Sequence, residues 1–512
     1  MCYSAIITLL QRVSVGNGCI QMKKPDYLAG RNNRRMKAKF SQYLTEIAPG
    51  LKKLRDELAK SYEYVSILAT DSVGFAVRAS QRVKSISGNT LTSERGNVVR
   101  VYKEGLYSEY AFNNLDLTDT EAAAGKIKNI LDKQLSVLKM TGSEVFNTPQ
   151  LDDEPLELFV EMDTDSLPEE TDLSALLAKL QGFSDNGKAL SEEIIDVTVS
   201  AQSMHICKMF LSANRDLRQS YVYSEGNISM VGARNGKTDM AYNGVSDREG
   251  PAVFDQLEDV IKKTFKELED NFSAEPVVPG EYEIITNPEV SGLIAHEAFG
   301  HGVEMDMFVK NRALGAQYID KRVGSDLVTM HEGAKCVKDV ASYAFDDEGT
   351  LAGDVVEIDK GILKTGVCDA LAALRLGIKP TGNGKRENFE HKAYTRMTNT
   401  MFDSGNSTKE EMIASVKKGY LLSGMFSGME DPKHWGIQCI VARGYEIIDG
   451  KLTGKVVAPV VLTGYVPDLL GSISMASKDY VSFGTGACGK GYKEWVKVSD
   501  GGPYLKAVAR LG

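Results

Sequence analysis

Residues Leu293 to Asp306 read LIAHEAFGHGVEMD. His296 and Glu297 stand side by side, and His301 follows five positions after the first histidine. Two imidazoles beside a carboxylate are the minimum parts for activating a water on a metal. Imidazole nitrogens suit zinc, and a neighbouring carboxylate can take the water's proton. The common H-E-x-x-H arrangement sets its histidines four apart on one helix face. Here the spacing is five, so at roughly 100° per residue the second ring lands about 140° round a straight helix from the first. Metal binding therefore requires a distortion between them. Gly300 and Gly302 flank His301, so the backbone can end the helix or form a one-residue bulge there.

A catalytic zinc commonly takes three protein ligands and keeps one position open. Beyond His296 and His301, the candidates are Glu304, Asp306, His331, Cys336, His391, His434 and Cys488. Spacing alone favours Glu304 or Asp306, which are nearest. Cys488 lies in GTGACGKG, where glycines let the backbone approach closely; a small core residue is the plain alternative. Glu297 is the candidate general base, able to deprotonate the water and return the proton to a leaving amine. Arg396 and Asn399 in RMTNT are candidates to hold a substrate backbone or carbonyl, although no spacing rule supports them over a structural use. TGNGKRE lacks the full phosphate-loop pattern and reads as a turn.

The elements that must position these residues read as α+β. Residues 1–35 are turn-like and basic and read as a poorly structured extension. A helical pattern runs from about Met36 to Ser61, with a break expected at Pro49-Gly50. Strand signals follow, then a helix from Thr118-Asp119, more strands, and an amphipathic helix over about 252–270. The prolines and glycine near 276–280 mark a boundary. The sequence thus predicts an N-terminal mixed α/β domain over 36–275. A mostly β C-terminal domain over 281–512 carries the His296–His301 helix, with further helices near 368–375 and 408–419. IDKG and IDGK read as tight hairpins.

The net charge of −10 argues against general nucleic-acid binding. The seven cysteines are scattered with no C-x-x-C spacing, which fits reduced thiols in a cytoplasm. No stretch approaches the roughly 20 apolar residues of a membrane helix.

HEAFGHGVEMD, DDEGT, DKGILK, TGNGKRE, RMTNT and GACGKG occur in the order and approximate spacing of the TldD/PmbA family, and the resemblance covers about residues 280–512. Within that family the TldD-like kind of subunit carries H-E-x-x-x-H and a downstream cysteine, whereas the PmbA-like (TldE-like) kind lacks them. This chain resembles the TldD-like kind. The resemblance implies a zinc metallopeptidase with His296, His301 and Cys488 as ligands and Glu297 as acid/base, so it raises Cys488 above the carboxylates that spacing favours. It also implies pairing with a PmbA/TldE-like subunit, or with a second copy, around a cleft. Unfolded or leader peptides would enter that cleft, held partly as an added β-strand. The competing expectation is a non-catalytic peptide-binding or regulatory subunit. Residues 1–35 have no counterpart in the family, and DPKHWGIQC (431–439) carries a histidine and a tryptophan with no assigned role.

Overall fold

Two sheets organise the computed structural model, which describes residues 35–88, 94–142, 147–490 and 493–512. The extension expected over 1–35 lies almost wholly outside the described residues. The first sheet has eight strands: β1 (Tyr64–Ala79), β2 (Lys84–Ser87), β3 (Arg95–Lys103), β4 (Leu106–Phe112), β5 (Leu156–Glu161), β6 (Ile194–Leu211), β7 (Arg215–Arg234) and β8 (Lys237–Asp247). Its order is β8-β7-β6-β1-β3-β4, with β2 paired to β1 and β5 to β7.

Alternation along the long strands gives this sheet two covered faces. On one face, Val65, Ile67 and Ala69 of β1 and Met209 and Leu211 of β6 pack with α1 (Gln42–Ala59) and α2 (Thr120–Met140). Farther along the same strands, Phe75, Val77, Val197 and Val199 pack with α3 (Leu173–Lys188) and α4 (Leu257–Ser273). The intervening residues Met204 and Ile206 point the other way, onto Ala334, Val340 and Tyr343. Helix α1 does not break at Pro49 as its sequence suggested; it runs unbroken through the proline. Leu44, Ala48, Leu51, Leu54 and Leu58 form one continuous buried stripe, and packing along it outweighs the hydrogen bond that proline cannot donate.

The second sheet has eleven strands: β9 (Gly280–Thr286), β10 (Met330–Glu332), β11 (Val355–Asp359), β12 (Ile362–Leu363), β13 (Asn399–Phe402), β14 (Lys418–Asp431), β15 (Gly436–Ile448), β16 (Lys451–Val457), β17 (Val460–Tyr465), β18 (Met475–Phe483) and, last in the chain, Ser499–Leu511. A separate hairpin, β19 (Ala487–Lys490) with β20 (Lys493–Lys497), precedes that last strand, β21. Strand β9 pairs with β14 on one side and β21 on the other. The path β14-β15-β17-β21 therefore closes on β9 as a ring of five strands. Its core includes Ile284, Leu422, Val441, Leu462 and Leu505. IDKG and IDGK turn as expected, with Lys360-Gly361 and Asp449-Gly450 at positive φ.

Both sheets belong to one compact unit, Asn33–Gly512. The fold is α+β. Among the described residues no helix is long and apolar enough to cross a membrane.

Candidate metal centre

The histidines sit where a short helix runs out over the five-stranded ring. Helix α5 (Pro288–Ile294) starts on Asn287, whose side chain accepts from the Val290 N–H at 2.9 Å, with Pro288 preset for the first turn. Val290, Leu293, Ile294, Ala298 and Phe299 bury into the same core as the ring. Gly292 permits this approach, since a Cβ there would lie 2.5 Å from the Gly501 N. The helix then widens into a π-turn over Ala295–Gly300, and the His301 N–H donates to the His296 carbonyl. A turn closed by i→i+5 bonds holds about one residue more than an α-turn, so residues five apart stack on one side. The two imidazoles meet, with ring centroids 5.1 Å apart and planes at 88°.

The flanking glycines act through their missing side chains rather than through φ. A Cβ on Gly300 would collide with the Met397 sulfur, and one on Gly302 would lie 2.6 Å from the Glu430 Oε1. Behind the turn, Phe299 packs on buried Trp435 at 5.3 Å, and Trp435 packs on Tyr318 at 4.6 Å. The tryptophan of DPKHWGIQC thus braces the distorted turn. His434 stays at the surface, 2.5 Å from Asp431.

Cys488 reaches the histidines from the β19–β20 hairpin, its Sγ 3.5 Å from the His301 Nε2. The ligand atoms of His296, His301 and Cys488 all lie within 4.8 Å of one another. The hairpin is held in place by ions. Lys490 Nζ lies 2.9 Å from Glu304 and 2.7 Å from Asp306, and Arg396 Nη2 donates to the Cys488 carbonyl at 2.6 Å. Glu304 also takes the His301 Nδ1 at 2.9 Å, which fixes that ring as outer-shell carboxylates fix metal-bound histidines.

Charge is stored in the cluster. Burial alone would push the Cys488 thiol up, but His301 and His296 beside it outweigh burial and hold it well below the ordinary thiol value. Burial opposes charging of the histidines, yet Cys488 with Glu304 raises His301 well above its usual value, and Cys488 with Glu297 raises His296 to about 9. Burial is outweighed at Glu304 too: Lys490 and His301 hold it at about 2. Two imidazoles and a thiolate form a donor set that fits a thiophilic divalent cation with one position left open. The His296 Nδ1, buried with no hydrogen-bond partner, is consistent with that fit.

Residues 279–508 match the family profile described as the PmbA/TldA metallopeptidase C-terminal domain. By this C-terminal domain, residues 279–508, the chain belongs to the TldD/PmbA family. It is 32% identical over 287 residues to a Metalloprotease TldD homolog of Haemophilus influenzae, covering 54% of this chain and 59% of that protein. It is 27% identical over 280 residues to a Zinc metalloprotease TldD homolog of Saccharolobus solfataricus, covering 54% and 62%. The matches thus span less than two thirds of these TldD relatives. The fold is similar to the crystal structure of TldE from Thermococcus kodakarensis, with a TM-score of 0.71 at 16% identity, over 90% of this chain and all of the other.

The other candidate ligands of this TldD/PmbA chain go elsewhere. Asp306 pairs with Lys310 and Lys490, and the Cys336 Sγ donates to the Asn399 carbonyl at 2.9 Å. His391 lies 3.7 Å from Glu387. Arg396 and Asn399, candidates for holding substrate, are 1% and 0% exposed. Arg396 supports the cysteine hairpin, while the Asn399 amide donates to the Gly333 carbonyl at 3.0 Å and its Oδ1 accepts from Ser499 at 2.6 Å.

His331 bridges Asp354 at 2.8 Å and Asp403 at 3.5 Å, and these bonds raise it to about 10. A raised value means the stabilisation is complete below the unfolded value of 6.5 and is lost as pH climbs through about 10. The gap in melting temperature between the native chain and His331→Gln should therefore narrow across that window. A gap that widens with pH would contradict the bridge.

Three neighbours were not singled out by the sequence. Lys490 stands in GACGKG beside Cys488, but its type and spacing assign it no role. Glu430, with both carboxylate oxygens buried and unpartnered, sits in ordinary strand text; burial, with Glu297 and Glu304 adding and His301 opposing, pushes it well above the carboxylate range. Gly428 is the third. A Cβ there would collide with the Glu297 Cγ and lie 2.9 Å from its Cδ. Gly428→Ala should turn the Glu297 carboxylate aside and, if that carboxylate serves as the base of a metallopeptidase, cut peptide turnover by about 10- to 100-fold while metal content holds. Unchanged turnover would show that Glu297 needs no such seat.

Proposed function

We propose that this chain is a zinc-dependent peptidase hydrolysing unfolded or leader peptides, with His296, His301 and Cys488 as metal ligands and Glu297 as the acid/base. The observation that carries this reading is the convergence of the two imidazoles and the thiolate to within 4.8 Å across a separation of 187 residues. A divalent cation held there would supply the Lewis acidity that activates a water for attack on a peptide carbonyl. Glu297, next to His296 and seated against Gly428, takes the water's proton and passes it to the leaving amine. Glu304 and Lys490 keep the His301 ring and the cysteine hairpin in place.

Strand β14 supports a peptide substrate. Among the described residues its stretch Met425–Asp431 pairs only with β15, which leaves its other edge open. That stretch carries Gly428 and Glu430, which lie against Glu297 and Gly302. An extended chain added to this edge would run beside the acid/base residue, a mode that admits flexible peptides and rejects folded ones. Assembly with a PmbA/TldE-like subunit, or with a second copy, is part of the proposal; the names of the TldD relatives and the likeness to a TldE fold support it. The described cysteines are all free, which supports a reducing compartment such as the cytoplasm.

The test is metal analysis of chain purified without chelator, paired with cleavage of an unfolded peptide. About one zinc per chain and chelator-sensitive cleavage are expected. A metal-free chain that binds peptide without cutting it would overturn the reading in favour of a non-catalytic binding subunit.

A further inference from the structure

A cavity of about 620 Å³ opens between α2, strands β3 and β4, and the segment 386–392, and none of the metal-centre residues lines it. Its walls are largely apolar: Val98 and Ala111 from the sheet, Val137 and Leu138 from α2, with Leu371 and Phe389 opposite. The volume lies within the range of small-molecule sites.

The charges around it do not cancel. Arg100 and Arg386 are already neutralised. Arg100 donates to Glu109 at 2.6 Å and lies 2.6 Å from Glu348, and Arg386 grips Glu109 at 2.9 and 2.6 Å. Two lysines remain, Lys133 and Lys392, each with no acid at ion-pair distance among the described residues, against the single unpaired carboxylate of Glu390. With Lys392 protonated, although burial holds it below the ordinary lysine value, the cavity carries about one surplus positive charge. Its neutral polar groups are largely occupied. The Ser108 hydroxyl donates to Gln134 at 2.5 Å, and the Tyr107 hydroxyl donates to the Pro149 carbonyl at 3.0 Å and accepts from the Leu151 N–H at 2.6 Å. Such walls suit a hydrocarbon body better than a peptide backbone, which needs regularly spaced donors and acceptors.

The geometry points to a second binding site here, for a small organic monocarboxylate with an apolar body. Its charge is met by Lys133 and Lys392, and its hydrocarbon lies along Val137, Leu138, Leu371 and Phe389. This site stands apart from the proposed peptidase chemistry and holds whether or not that reading does.

The experiment is calorimetric titration of decanoate into the full chain, zinc-loaded and chelator-treated, with decanol as the uncharged counterpart. Decanoate should bind at one site per chain in both metal states, with decanol weaker by about ten-fold. Lys133→Glu combined with Lys392→Glu should weaken decanoate by about ten-fold or more. Val137→Trp fills the cavity from an exposed helix position, 61% accessible, and should abolish binding without disturbing the fold. It keeps the test decisive if the charge reversals fail to fold. No decanoate binding, equal affinity for decanol, binding that needs the metal, or tighter binding of a peptide with an apolar C-terminal residue would each overturn the inference.

Discussion

On the proposed chemistry, Glu297→Gln should cut peptide hydrolysis by about 10²- to 10⁴-fold and leave the metal in place. The amide keeps the shape of the carboxylate, so its seat against Gly428 is preserved. It cannot accept a proton, and proton transfer by a positioned carboxylate contributes about 10²- to 10⁴-fold. Turnover should fall by that factor. Metal content should not move, because Glu297 is not among the three residues whose ligand atoms converge. Single-turnover cleavage of an unfolded peptide, with zinc counted in the same preparation, separates the two effects. Turnover at the native rate would remove Glu297 from the chemistry. Loss of zinc together with turnover would make it part of the metal's support.

Cys488→Ala should strip the metal. Losing one outer-shell partner typically costs 10- to 100-fold in metal affinity, and losing a ligand should cost at least about 100-fold. The fold should survive, since the hairpin keeps its Lys490 ties to Glu304 and Asp306 and its Arg396 bond to the backbone of residue 488. Zinc analysis after dialysis, with a thermal melt as control for folding, gives the answer. Zinc retained at native occupancy would mean the thiolate is not a ligand, and a carboxylate such as Glu304 would have to turn inward. The thiol is well prepared for the role, because His301 and His296 hold it well below the ordinary thiol value despite burial, and a thiol must lose its proton to bind a metal.

The amino-acid sequence by itself determined what depends on near neighbours in the chain. The five-residue spacing of His296 and His301 demanded a distorted helix, because a regular one points the rings apart; the π-turn is that distortion. IDKG and IDGK are legible hairpins, because turn conformations are decided within a few residues. Alternation marked the long strands of the first sheet, and six ordered motifs carried the likeness to the TldD/PmbA family.

Only the tertiary structure decided what depends on closure over long stretches. Spacing favoured Glu304 or Asp306 beside the histidines. In the fold, Glu304 is engaged by His301 and Lys490, and Asp306 by Lys490 and Lys310, while Cys488 arrives from 187 residues away. No local pattern encodes that approach, which follows from β21 closing the strand ring on β9 and bringing the preceding hairpin over the π-turn. Burial likewise placed Arg396 and Asn399 inside the scaffold. Pro49 belongs to the same class: local chemistry says break, but a stripe of five buried residues along α1 holds the helix through it, since packing against distant strands outweighs one missing hydrogen bond.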